Sequence, residues 1–237
     1  MKNYKIQLAD HRTGKIIQDA GGAVYVAVNG ANTKETLTDK DGASLTNPVA
    51  LTNGQIDFWV GDSVNYVDLY IQGPNGHFVV LEDVGPSGPN EIYIDQGQKV
   101  GTMVIPFDIA DTTAAVETDT GFDLPLNAVV QGDGAGVLVT DLDATETVDV
   151  GLLSSETGGD ANGFLVALSV AAAGFIAGSV AATATLGAML VNTFATTPQV
   201  NVPGRHVGDG VAESICYTAS AGSDTVTGKI VLPYLLA

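Results

Sequence analysis

Residues that could perform nucleophilic or acid–base chemistry are few and far apart in this chain. The three histidines are His11, His77 and His206, and the single cysteine is Cys216. A Ser–His–Asp or Cys–His site needs such groups to converge, and the sequence contains neither a G-x-S-x-G nor an H-E-x-x-H motif. We interpret the histidines as solvated loop residues and Cys216 as a small core side chain. We therefore expect no enzyme and no catalytic residue.

Two acidic clusters have the oxygen-rich composition that suits Ca²⁺. They are Asp39-Lys-Asp-Gly42 and Asp141-Leu-Asp-Ala-Thr-Glu146, and neither has EF-hand spacing. We interpret both as solvated turns, with Ca²⁺ binding as the alternative. Glu156 and Asp160 are close in sequence, but the Gly-Gly between them does not fix two carboxylates at a catalytic distance. We predict no metal site and no cofactor.

The stretch Gly132-Asp-Gly-Ala-Gly136 is rich in glycine, as phosphate-binding loops are. It lacks the Lys and the following helix of such a loop, and the carboxylate of Asp133 would repel phosphate. We predict a hairpin turn at this position.

The chain is strongly acidic, with 27 Asp and Glu against 9 Lys and Arg and a net charge of −18. Residues 1–99 carry a net charge of −5, whereas residues 100–237, with only Arg205 and Lys229 as basic residues, carry −13. Such a surface repels phosphate backbones and anionic lipid. We therefore predict no nucleic-acid partner and no membrane partner.

Two further features of the chain bear on where it is made. One cysteine cannot form an intrachain disulfide. The N-terminal sequence MKNYKIQLADHRTGK lacks the apolar run of a signal peptide. We expect synthesis in a host cytoplasm and a fold that does not depend on redox chemistry.

Alternation of apolar and polar residues with a period of two predicts strands along the whole chain. The predicted strands are 24–28, 55–60, 66–71, 78–81, 92–94, 103–109, 137–142, 147–153, 211–218 and 225–232. Dipeptides that favour tight hairpins lie at Asp41-Gly42, Asn53-Gly54, Asn75-Gly76 and Asp133-Gly134. Strands and turns without amphipathic helices predict an all-β fold of sandwich or barrel type. The charge step near residue 100 predicts two domains, 1–97 and 98–237.

Residues 163–197 contain no charged residue and have a G-x-x-x-G spacing that begins at Gly174. The length suits a membrane helix, but no basic cluster flanks the stretch, and its glycines and β-branched residues disfavour a helix. We predict three buried strands instead, 164–170, 175–180 and 186–191, with one face covered by another subunit. The residues expected at this subunit interface are Phe164, Val166, Phe175, Ile176, Leu186 and Leu190.

In the first predicted domain an N-P-V turn leads into an F-W-V strand. The residues are Leu45-Thr-Asn-Pro-Val-Ala-Leu-Thr-Asn-Gly54, then Phe58-Trp-Val60 and Gly73-Pro-Asn-Gly76. This pattern resembles a small Ig-like β module found at the start of phage fibre and head-decoration proteins. The resemblance covers roughly residues 1–95 and implies an Ig-like N-terminal module.

The second predicted domain has a pattern in which D-V-G-L-L is followed by an acidic, Gly-rich loop and G-F-L. It comprises Thr120-Gly-Phe-Asp-Leu-Pro-Leu-Asn-Ala-Val-Val130 and residues 148–165. It resembles the C-terminal β-sandwich of capsid decoration, or head cement, proteins of tailed bacteriophages. The resemblance implies a structural virion protein on the capsid exterior that binds the major capsid protein without covalent chemistry and forms a homotrimer.

A fibre or adhesin module that binds a host surface glycan is the alternative function. Tyr66, Tyr70, Trp59 and Tyr93 would supply rings for stacking on sugars. These residues also alternate as core positions would, and aromatic residues make up only 6% of the chain. The sequence therefore favours the structural role.

Overall fold

The computed structural model describes residues 1–10, 16, 22–30, 33–72, 78–86, 89–94, 100–109, 115–125, 128–180, 185–194, 200–207, 213–221 and 226–236. These residues form strands and turns and contain no α-helix, so the predicted all-β fold is confirmed. The chain divides into two compact units, Met1–Gln98 and Lys99–Ala237.

The described part of the first unit contains seven strands in two sheets. The strands are β1 (Lys2–Asp10), β2 (Ala23–Val28), β3 (Val49–Ala50), β4 (Gln55–Val60), β5 (Val67–Gln72), β6 (Phe78–Val84) and β7 (Pro89–Ile94). One sheet has the order β4-β1-β7, in which β1 runs antiparallel to β4 and parallel to β7. The other has the order β3-β2-β5-β6 and is antiparallel throughout.

The two sheets of the first unit share one apolar core. Alternate residues of β4 are buried, and Ile6 of β1, Phe58 of β4, Val26 of β2 and Leu69 of β5 all belong to the same buried cluster. The rings of Tyr4 and Phe58 stack with centroids 5.3 Å apart, a geometry that contributes about 1 kcal/mol beyond simple burial. Because both sheets contribute inward side chains, this unit is a two-layer sandwich.

The N-P-V turn of the first unit is attached to strand β2 by a side chain. The amide of Asn47 donates to the carbonyls of Val26 (2.6 Å) and Glu35 (3.0 Å) and accepts from the N–H of Val26 (3.0 Å). The Asn47–Pro48 peptide bond is cis. Asn47 therefore satisfies backbone groups that a neighbouring strand would otherwise pair.

The second unit contains twelve described strands. They are β8 (Val100–Asp108), β9 (Thr118–Asp123), β10 (Ala128–Gln131), β11 (Gly136–Asp141), β12 (Thr147–Leu152), β13 (Leu165–Ser169), β14 (Gly174–Ala177), β15 (Val191–Phe194), β16 (Val200–Pro203), β17 (Arg205–Val207), β18 (Ser214–Ala219) and β19 (Thr227–Leu236). A short 3-10 turn, Ala188–Leu190, precedes β15.

Strand β19 is the centre of the larger sheet of the second unit. Strand β8 pairs with it over nine positions on one edge, whereas β11 and β10 follow one another along the other edge. Strand β14 extends the sheet beyond β11, and β17 extends it beyond β10. A second sheet has the order β13-β12-β18-β9, and β15 and β16 form a separate pair.

The two large sheets of the second unit pack against each other through their buried rows. The rings of Phe107 on β8 and Tyr217 on β18 lie 5.7 Å apart, and the Tyr217 hydroxyl donates to the Asp108 carbonyl at 2.9 Å. Burial raises the pKa of Tyr234, on the inner side of β19, to about 12. This unit is therefore also a sandwich with a single interior.

The described residues of the stretch 163–197 form short strands and a 3-10 turn rather than an α-helix. The first two predicted strands correspond to β13 and β14, whereas the third is a single bridge from Leu186 to Leu165 followed by the 3-10 turn and β15. In the part of the chain that the structure describes, no helix has the length and apolar character needed to cross a membrane.

Candidate interaction face of the second unit

The outward side of β19 is unusually apolar for a strand that faces solvent. Its residues alternate strictly, with Ile230 and Leu232 buried and their neighbours only partly buried. An antiparallel sheet with one solvated face normally presents polar residues there. Here the outward positions after Lys229 are Val231, Pro233 and Leu235.

The strand register extends this apolar row across the whole sheet. At one end Phe175, Leu138, Lys229 and Pro106 lie side by side on β14, β11, β19 and β8. At the other end Val207, Val129, Leu235 and Val100 do so on β17, β10, β19 and β8. We call this surface the β19 face. Its accessible members are Val100, Thr102, Val104, Val129, Gln131, Leu138, Phe175, Ala177, Arg205, Val207, Lys229, Val231, Pro233 and Leu235, whereas Pro106 and Gly136 lie in the same rows but are buried.

Among the described residues of the second unit, four of the six exposed large apolar side chains lie on the β19 face. The exposed fractions are 60% for Val100, 56% for Val207, 50% for Phe175 and 37% for Leu138. The Phe175 ring lies over Gly136, since a Cβ added to that glycine would be 2.8 Å from the ring. Apolar side chains that share one exposed face mark interaction sites, unlike those scattered singly over a surface.

The charge of the β19 face also differs from that of the rest of the unit. It carries Arg205 and Lys229, the only basic residues of positions 100–237. Two carboxylates at described, paired strand positions adjoin the face, those of Asp108 and Asp141. Both residues pair with Thr227, in the row that ends the face. The face is therefore apolar and close to neutral on a domain that is otherwise acidic.

The structure brings one of the six predicted interface residues to the β19 face. Phe175 lies on it, and Val166 and Ile176 are partly buried elsewhere. Phe164, Leu186 and Leu190 are buried in the core of their own unit, where they have no surface to offer a partner. The sequence reasoning missed the remaining apolar members of the face, although the alternation of residues 229–235 contained the signal.

His206 is not the solvated loop residue that the sequence predicted. It lies in β17 with only 19% of its side chain exposed, and its Nε2 is 2.9 Å from Oε1 of Glu213. Its ring is 5.7 Å from that of Phe164, so the interior of the unit fixes its position. His11 and His77 lie outside the described residues.

Cys216 is buried in β18, as predicted for a core side chain. Burial, together with the nearby charges of Glu117 and Asp119, raises the pKa of its thiol to about 12. The thiolate needed for nucleophilic or metal chemistry is therefore strongly disfavoured.

The two acidic clusters play structural roles. The Asp39 carboxylate accepts from the N–H groups of Asp41 and Ala43 at 2.9 Å each, which lowers its pKa and confirms a solvated turn. Glu146 differs from the prediction, because it is buried and accepts from Ser220 and Ala221. No group of His, Cys, Asp and Glu among the described residues is arranged to hold a metal ion.

Glu156 and Asp160 hold a loop against β18 and β12. Glu156 accepts from both the N–H and the hydroxyl of Ser214, each at 2.8 Å. The carbonyl of Asp160 accepts from the N–H of Leu152 at 2.9 Å. Glu117 fixes the same loop, because it accepts from the N–H of Ser154 at 2.9 Å.

The aromatic residues suggested for sugar binding do not form a platform in the described structure. Tyr70 is buried and meets Tyr25 edge to face, with ring centroids 6.0 Å apart. Tyr66 is exposed and Trp59 is partly buried, and the side chain of Tyr93 lies outside the described residues. A groove of about 660 Å³ beside β1 and β4 has no aromatic ring among its described lining residues.

Comparison of the chain with protein-family models, with curated proteins and with solved structures found no match.

Proposed function

We propose that this chain is a structural protein of a tailed-bacteriophage virion that decorates the capsid exterior and cements the capsid lattice without covalent chemistry. The observation that carries the proposal is the β19 face, a broad apolar surface on an acidic domain. Adhesion between subunits requires such area, whereas an enzyme requires a pocket with convergent polar groups.

The charge of the chain suits this role. A net charge of −18 keeps isolated copies soluble and suppresses non-specific association. The apolar β19 face then provides the contact area, because burial of apolar surface is the main favourable term in protein association. The motifs at residues 45–60 and 148–165 indicate the major capsid protein as the lattice partner, through their resemblance to decoration proteins.

The test is binding of the purified full chain to heads of the encoding phage that lack it. We expect saturable co-sedimentation, with a copy number comparable to that of the repeating lattice sites. An unrelated acidic protein of similar size and charge is the matched control, and it should stay in the supernatant. No binding at micromolar concentration, or attachment only at the tail, would contradict the proposal, and the second result would favour a fibre module.

A further inference from the structure

We infer that one edge of strand β8 pairs with the same edge of a second copy, antiparallel and about a two-fold axis at Thr102, so that the larger sheets of two copies join into one. We call this the open edge; it consists of the backbone groups of Val100, Thr102 and Val104. A two-fold contact produces pairs of chains, so it is distinct from the three-fold contact of the homotrimer that the resemblance implies. The inference goes beyond the proposed function and does not depend on capsid binding.

The direction of the backbone groups in β8 follows from its register with β19. The N–H of Ile109 donates to the carbonyl of Val226 at 3.0 Å, and the pairing of β8 with β19 shows no register shift. Successive residues of a strand direct their N–H and C=O groups to opposite edges. Those of Val100, Thr102 and Val104 therefore face away from β19. Among the described residues, no strand pairs with β8 on that side.

The open edge is short and has a defined end. Pro106 has the same orientation as Thr102 in the register with β19, but proline has no N–H to offer an added strand. The next carbonyl on that side, that of Asp108, already accepts from the Tyr217 hydroxyl at 2.9 Å. An added strand can therefore pair fully only with residues 100–104.

Strand β8 lacks the devices that protect exposed sheet edges, which are charges, bulges and short length. Residues 100–107 contain no charge, and their pairing contains no bulge. Other edges of the two large sheets are protected. Strands β14 and β17 have four and three residues, and in β9 the N–H groups of Gly121 and Phe122 donate to side chains. Strand β13 is distorted at Ala167, which has a φ of 46° and donates its N–H to the Asp149 carboxylate at 2.6 Å.

The open edge is complementary to itself. Antiparallel pairing about Thr102 places this residue opposite Thr102 of the second copy, and Val100 opposite Val104. Each of these pairs exchanges two hydrogen bonds, about six in all. Cross-strand pairs of threonines and of other β-branched residues are favourable. Another extended chain would satisfy only the backbone groups, whereas a second copy also supplies a matching side chain at each position.

The open edge is accessible and ordered before any pairing. Thr102 is exposed and Val100 is 60% exposed. On the inner side of the sheet Met103 is buried, and the Tyr234 ring fills the space beside Gly101, where an added Cβ would lie 2.4 Å from it. Because the edge is already fixed by the core, pairing costs little conformational entropy.

The test places charges on the two-fold axis. Thr102→Lys and Thr102→Glu each bring two like charges directly opposite one another, which disfavours cross-strand pairing. In light scattering from micromolar to submillimolar concentration, the wild-type chain should form particles of twice the mass of either variant. An equimolar mixture of the two variants should regain the doubled mass, because Lys then lies opposite Glu. Thr102→Val, which keeps the N–H group, and Ser155→Lys, in an exposed loop, are the controls and should match the wild type.

Hydrogen exchange gives a second readout of the same contact. The amide of Val104 should exchange more slowly in the paired wild-type chain than in Thr102→Glu, because pairing gives it an acceptor. The amides of Met103 and Ile105, which face β19, should exchange slowly in both proteins.

Three results would overturn the inference. They are equal particle masses for the wild type and both charged variants, a mixture that stays at the lower mass, and equally fast exchange of the Val104 amide in the wild type and Thr102→Glu. Circular dichroism identifies a variant that fails to fold. Thr102→Pro, which removes an N–H that β19 does not use, then takes its place and should also halve the mass. A wild-type chain that binds capsids without pairing would refute the inference and leave the proposed function intact, and paired chains that do not bind capsids give the reverse result.

Discussion

Glu146 is buried with 1% of its surface exposed, yet it is an acidic residue in a domain with few cations. Its carboxylate accepts from the N–H groups of Thr147 at 3.1 Å and Ala221 at 2.9 Å and from the Ser220 hydroxyl at 2.5 Å. These donors replace the water that a buried charge loses. Glu146 therefore joins the start of β12 to the end of β18.

Replacing this carboxylate should weaken the fold. Glu146→Gln substitutes an amide N–H₂ for one oxygen and places it opposite hydrogen-bond donors, so we expect a loss of about 1–3 kcal/mol in the free energy of unfolding. Urea unfolding measures this value. Asp133→Asn, in an exposed turn, is the control and should change it by less than about 0.5 kcal/mol. Equal stability of Glu146→Gln and the wild type would contradict the structural role.

Cys216 should be protected from alkylation in the folded chain. With a pKa of about 12, about one thiol in ten thousand is ionised at pH 8, whereas the unfolded chain has the ordinary pKa and ionises far more. Because the folded pKa is raised, the folded state favours the neutral thiol, and this stabilisation declines as the pH rises above the unfolded value. Mass spectrometry after iodoacetamide treatment should show slow modification that becomes fast in urea. Equally fast modification of both states would refute the burial.

Among the elements, strand β12 illustrates how a loop closes over a sheet. A Cβ added to Gly151 would lie 2.0 Å from the Asp160 carbonyl, so the loop that Glu156 and Glu117 hold passes directly over this strand. Cys216 is the cross-strand partner of Gly151, and it is buried beneath the same loop. The D-V-G-L-L motif thus has its glycine where the backbone of another segment approaches closely.

A side chain at this position should displace the loop. Gly151→Ala should lower the free energy of unfolding by about 1–3 kcal/mol or more, because the new methyl group meets backbone atoms that have no alternative rotamer. Gly61→Ala is the matched control, since the atom nearest to its new Cβ would be the Ser63 hydroxyl oxygen at 3.8 Å. Thermal unfolding of both variants measures the difference. If Gly151→Ala were as stable as Gly61→Ala, the close approach would be refuted.

Strand β19 was predicted to end at residue 232 but continues to Leu236. Pro233 normally marks a strand end because it has no N–H to donate. Here, however, β11 pairs as far as Val231 and β10 begins to pair at Tyr234. Pro233 therefore lies level with the turn between β11 and β10. Neither strand pairs with β19 at this position, so no backbone N–H donor is needed on that edge.

At the scale of the whole molecule, the dominant feature is unbalanced negative charge. The chain has 27 acidic and 9 basic residues. Many carboxylates accept hydrogen bonds from backbone N–H and hydroxyl groups rather than from cations. Charge of one sign destabilises a compact state through self-repulsion, and dissolved salt screens this repulsion.

The free energy of unfolding should therefore rise with ionic strength. We expect higher urea midpoints in 0.5 M than in 0.02 M NaCl, within the range where Debye screening becomes effective. Micromolar CaCl₂ added at a constant NaCl concentration tests the alternative suggested by the two acidic clusters. An increase of the midpoint on this addition would reveal a specific ion site, whereas an unchanged or falling midpoint with rising NaCl would contradict the repulsion argument.

The all-β class and several hairpins follow from the amino-acid pattern alone, because alternation and turn residues act over a few neighbours. Asn53-Gly54 adopts the positive φ angles predicted for a tight turn, and so does Gly134. For residues 163–197 the sequence favoured strands over a membrane helix, since glycine and β-branched residues disfavour helix locally.

Which of the apolar residues remain exposed depends on the three-dimensional packing of the strands. Phe164 and Phe175 look equivalent in the sequence, yet one is buried and the other is half exposed. The difference depends on strand order and register, which bring Phe175 beside Leu138 and, across β11, in line with Lys229. Register is a long-range property, since a shift of one residue exchanges the two faces of a strand. The local pattern therefore predicted strands but could not place the β19 face.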